Sequence, residues 1–77
     1  MLILEGFDSE FIGVVRQFNT EFALYDYEKV IEKLMEDMNR EEAEEYFEFN
    51  IVGGWYGKHT PGFLYKEDVH ALNHHRH

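Results

Sequence analysis

"EFALYDYEKVIEKLM", Glu21 to Met35, holds the junction from which the rest of the fold is read. Its opening "EFALY" is aromatic and aliphatic, as a strand requires. From Tyr27 onward the apolar residues Tyr27, Val30, Ile31, Leu34, Met35 and then Met38 recur three and four apart, which is the spacing of one face of a helix. Asp26 stands between the two patterns. Its short carboxylate suits the first position of a helix, where it accepts a backbone N–H that has no partner in the turn before. A strand therefore feeds directly into a helix at this residue.

Upstream, "FIGVVRQF" (11–18) is a second strand-like run, separated from "EFALY" by Asn19-Thr20. A two-residue turn at Asn19-Thr20 predicts a hairpin in which Phe18 faces Glu21, Arg16 faces Ala23 and Val14 faces Tyr25. One sheet face then shows Phe11, Val15, Phe22 and Leu24, and the other shows Ile12, Val14, Phe18, Ala23 and Tyr25. Both faces are apolar, so one holds the core and the other asks for a cover, either a chain end or a second subunit. Downstream, Asn39 with Glu42 three residues on predicts a capping box. The second helix it opens carries an inner stripe of Ala43, Tyr46, Phe47, Asn50, Ile51 and Gly54, and Gly53-Gly54 stops it. "TPGFLYK" (60–66) reads as a last strand entered through Pro61.

The expected fold class is α+β, in the order β-β-α-α-β: a small antiparallel sheet of three strands packed on a helical hairpin. Residues 2–4, "LIL", form a short fourth strand or an edge cover. Residues 1–66 make a single domain, and the His-rich residues 67–77 a flexible tail. Seventy-seven residues support one thin core, with a total stability of roughly 3–5 kcal/mol.

The chain has 16 acidic residues against 7 Lys plus Arg, a net charge of −9. That balance argues against direct contact with nucleic acid, whose phosphates need cations, and suits a basic protein partner. Ten of the acids lie in residues 26–48. Glu28, Glu32 and Glu36 line one side of the first helix; Lys29 and Lys33 offset them through Glu32 and Asp37. Glu41, Glu44, Glu45 and Glu48 line the second helix. Two such rows on adjacent helices either keep an aromatic-rich domain soluble or mimic duplex phosphate in a basic groove of another protein. There is no Cys, so no disulfide or thiol chemistry. The opening "MLILEGFDSE" lacks a basic start and the apolar stretch of about 7–15 residues of a secretory signal. No run approaches the ~20 apolar residues of a membrane helix. A cytoplasmic setting without a membrane partner is expected.

Asn50 is the odd residue of the second stripe. A buried amide needs its hydrogen bonds met, at a cost of roughly 1–3 kcal/mol otherwise. It either ties down the following loop, "GGWYGKHTP", lines a pocket with Trp55, Tyr56 and Thr60 for a small polar ligand, or simply marks the helix end. Catalysis has no constellation behind it. His59 and Thr60 are adjacent and point opposite ways on a strand, and no Ser-centred elbow, phosphate loop or HExxH is present. A non-enzyme without a cofactor is expected. His70 and His74, four apart, could share a metal on a helix; a frayed terminus explains them equally.

Together, "EGFD", "IGVV", "YDYEKVIEKLM", "EEAEEYFEFNIVGGW" and "GKHTPGF" resemble a family of small uncharacterised proteins of tailed bacteriophages. The resemblance spans about residues 6–66. Asn50 and Thr60-Pro61 match its pattern. Family members often have a small or acidic residue where Lys58-His59 stands and an apolar one where Gly62 stands, so no shared site falls on these three. The resemblance implies a phage gene expressed in the infected bacterial cytoplasm, and fits an accessory protein that binds a host or phage macromolecule. A small-ligand binder using Asn50 and Trp55, and a minor virion structural protein, are the alternatives.

Overall fold

The computed structural model describes residues 1–54 and 60–66. After a short 3-10 turn at Asp8–Glu10, strand β1 (Phe11–Gln17) pairs with β2 (Thr20–Asp26). Helix α1 (Tyr27–Leu34) follows at once, then α2 (Arg40–Tyr46), whose last turns widen into a π-helical segment, Phe47–Val52. Strand β3 (Gly62–Leu64) completes an α+β fold in the expected order β-β-α-α-β.

The junction at Asp26 is as its neighbours dictate. Its carboxylate accepts the Lys29 N–H (3.2 Å), and its other oxygen meets the Lys66 Nζ at 3.1 Å. At α2 the box is complete: the Asn39 side chain accepts from Glu42 N–H (2.8 Å), and Glu42 accepts from Asn39 N–H (3.0 Å). Each is a contact between residues three apart, which is why sequence alone locates it.

Three expectations are corrected. The sheet is mixed rather than antiparallel: β3 runs parallel to β2, with Leu24 opposite Gly62 and Asp26 opposite Leu64. A parallel pair needs a long crossover, which residues 27–61 supply. The hairpin turn is Phe18-Asn19 rather than Asn19-Thr20, because Gln17 pairs with Thr20. Arg16 thus faces Glu21, and Val14 faces Ala23. Phe18 takes the left-handed value, φ 54°, a conformation that costs a side-chain-bearing residue roughly 1–2 kcal/mol. Finally, of the two readings of residues 2–4, a fourth strand or an edge cover, the strand is not formed; Leu4 buries its side chain and donates its N–H to the Tyr25 hydroxyl at 2.8 Å.

The shifted register moves each pairing by two residues, so Val14, Ala23 and Tyr25 keep one face and Val15, Phe22 and Leu24 the other. Phe11, expected beside Val15, Phe22 and Leu24, lies instead on the face of Tyr25. Ala23 and Tyr25 are fully buried under the helices, whereas Val15, Phe22 and Leu24 on the other face are half-buried. A bulge at Ile12 brings Phe11 opposite Tyr25, where the two rings meet edge to face at 5.6 Å. The Phe22 ring lies against Gly62, where a Cβ would sit 2.8 Å from a ring carbon. The core is Leu4, Ala23, Tyr25, Val30, Ile31, Ala43, Phe47 and Ile51. Phe47 is its hub: its ring meets Tyr27 of α1 at 4.9 Å and Phe63 of β3 at 4.7 Å, both edge to face.

Asp26 is buried, yet its carboxyl is held below its ordinary value of 3.8, chiefly by the Lys29 amide and then by Lys66, against the opposing effect of burial. A lowered carboxylate contributes stability that is whole above the unfolded pKa and is lost as pH falls through the folded one. Asp26→Asn keeps a good cap but removes the titrating charge. Its melting temperature is expected below wild type at neutral pH, with the gap closing as pH falls below 3.8. A gap independent of pH in calorimetry would contradict this.

Candidate partner-binding surface

The outer face of α2 and of its π-helical continuation is set by spacing. Ala43, Phe47 and Ile51 are buried, four apart. The Gly53 N–H reaches back five residues to the Glu48 carbonyl (2.9 Å), so the last turn is wider than an α-turn. A Cβ at Gly53 would lie 3.0 Å from the Phe49 carbonyl oxygen and 3.1 Å from that of Glu48, so the wide turn closes most easily over glycine. The buried stripe is consequently narrower than a 3.6-residue period implies. Tyr46, Phe49 and Asn50 all turn to solvent, Phe49 with 77% of its surface exposed.

Asn50 therefore leaves the inner stripe to which its position assigned it. It is exposed and makes no side-chain hydrogen bond among the described residues, so it does not pin the closing segment. Instead it borders an open groove of about 350 Å³ with Met38, Glu42, Glu45, Tyr46 and Phe49. Thr60 is half-buried beside the buried Pro61. Trp55, Tyr56, His70, His74 and the tail from residue 67 lie outside the described residues. Among those described, no group of three His, Asp or Glu is placed to hold a metal ion, and no helix is long and apolar enough to cross a membrane.

The four expected acids divide. Arg40 donates to both oxygens of Glu28 on α1 (2.6 and 2.8 Å) and, through Nε, to Glu44 at 3.0 Å. This fork ties α1 to α2 and takes Glu44 out of the free row. The bidentate bond from Arg40 holds the Glu28 carboxyl below its usual range and the Arg40 guanidinium above its own. Glu41, Glu45 and Glu48 remain exposed without an ion pair. Glu48 lies on the side of the stacked Tyr27 and Tyr65 rings, 4.0 Å apart. Burial foremost, with nearby carboxylates including Glu48, pushes both hydroxyls up. Lys29 and Lys33 form no ion pair with Glu32 or Asp37, contrary to expectation. They border a cleft of about 420 Å³ with Ser9, Glu10, Glu32 and Glu36.

The sequence reading missed Phe49 and Tyr46 as surface residues and Arg40 as the clamp. One signal was available: Phe49 falls outside the four-residue spacing of Ala43, Phe47 and Ile51. The chain matches no family model, no curated protein and no solved structure.

Proposed function

We propose that the chain is a non-catalytic binding protein, a phage accessory factor of the kind its motifs resemble, that holds a basic host or phage protein against the outer face of α2. The observation that supports this reading is Phe49. An aromatic ring 77% exposed to water stands beside Tyr46 in a groove rimmed by Glu42 and Glu45. Covering such a ring contributes about 1.5–3 kcal/mol. Unpaired carboxylates of Glu41, Glu45 and Glu48 along the same helix and its continuation speed the approach of a basic patch and exclude acidic ones. Glu41 and Glu45, four apart, repel each other by roughly 0.2–0.5 kcal/mol in the free protein; a cationic partner relieves that repulsion.

The test is affinity capture from bacterial lysate with three baits. Wild type is expected to retain a basic protein that raised salt releases. Phe49→Ala and a variant with Glu41, Glu45 and Glu48 changed to Lys are each expected to lose it. All four positions are exposed, so the variants fold. Equal recovery on all three baits would overturn the reading.

A further inference from the structure

We propose that two copies of this chain pair through the outer edge of β1, joining their sheets into one continuous sheet of six strands. β1 is the terminal strand in the order β1-β2-β3, and it contains no Pro and no Lys, the residues that commonly guard such edges. Gln17 and Thr20 flank the two-residue turn and so exchange both ladder bonds. Alternation along an antiparallel ladder then points the N–H and C=O of Arg16 and Val14 away from β2. The bulge at Ile12 ends the regular stretch on one side and the turn at Phe18 ends it on the other. Gly13–Gln17 remains, and its midpoint is Val15.

That symmetry selects a register. A two-fold axis at Val15 sets Val14 against Arg16 of the second copy, and Arg16 against its Val14, so both outward-facing residues find partners. Val15 meets Val15. Two chains of net charge −9 repel, but residues 11–20 contain no Asp or Glu, so the copies meet where neither is negative. Arg16 faces a valine rather than another Arg16. The same axis brings Phe18 toward Ile12 of the second copy. Phe18 is 90% exposed and held at φ 54°, and Ile12 and Val14 are about half exposed. Pairing at this edge covers residues that one copy leaves in water. It does not use the α2 surface, so neither proposal depends on the other.

Sedimentation equilibrium is expected to give a mass rising with concentration toward twice the 9.3 kDa of one chain. The chain has no Cys, so Val15→Cys places a single thiol on the axis. Opposed residues of a non-hydrogen-bonded pair stand about 4.5 Å apart, within disulfide reach, and oxidation should cross-link the variant. Val14→Glu sets a carboxylate against Arg16 of the second copy and Val14→Lys sets a like charge there; the Glu variant is expected to associate about tenfold more tightly than the Lys variant. A single-chain mass at every concentration overturns the proposal. So does a dimer that Val15→Cys fails to cross-link, or one whose association is equal in Val14→Glu and Val14→Lys.

Discussion

Phe47→Ala is expected to leave the protein largely unfolded at 25 °C. The ring is 1% exposed and joins three elements, with Tyr27 on one side and Phe63 on the other. Truncating a buried Phe to Ala costs about 3–5 kcal/mol, the lost transfer energy plus the cavity left behind. A single-core domain of this size holds only roughly 3–5 kcal/mol in all, so one ring carries about as much as the whole margin. Urea titration followed by circular dichroism checks it. Wild type should show a cooperative transition, and the variant should show little native baseline. A cooperative variant losing under about 1 kcal/mol would mean that the helices and β3 do not meet through this side chain.

Tyr25→Phe is the second large effect, although it removes a single oxygen. The ring remains to fill the core, but the Leu4 N–H loses its acceptor at 2.8 Å in a buried place. An orphaned buried donor costs about 1–3 kcal/mol. The loss should also be local: Leu4 would leave its site and join the already exposed residues 1–3 in water. Amide exchange reads this directly. The Leu4 amide is expected to become unprotected, while Val30 and Ile31 lose only what global destabilisation takes from them. Retained protection at Leu4 in the variant would show that something other than the hydroxyl holds this segment.

The candidate surface was half legible. Glu41, Glu45 and Glu48 were readable as an acidic row because helical spacing alone brings them to one side. Glu44 was not separable from them, since its partner Arg40 is drawn into a fork by Glu28, which lies twelve residues away on α1. An ideal 3.6-residue helix puts Asn50 in the inner stripe and leaves Phe49 off it. The Gly53-to-Glu48 bond widens that turn, and Asn50 too faces solvent. Gly53, where a Cβ would crowd the Glu48 and Phe49 carbonyl oxygens, suits such a turn, but in the sequence it reads only as an ordinary helix stop.

What the amino-acid order determines by itself is local. Asp26 opens α1 because its own carboxylate reaches the Lys29 amide. Asn39 and Glu42 open α2 by exchanging bonds three residues apart. The element order follows from these junctions and from the run of apolar residues between them. The direction of β3, the turn at Phe18-Asn19, the fork at Arg40 and the seat of Leu4 against Tyr25 belong to the tertiary structure. The direction of β3, the fork and the seat of Leu4 join groups twelve or more residues apart, whereas the turn is a choice of register between neighbours, Gln17 and Thr20. A strand pattern reads the same in either direction, and a hairpin can slip by two residues without changing faces; only packing against the rest of the molecule chooses.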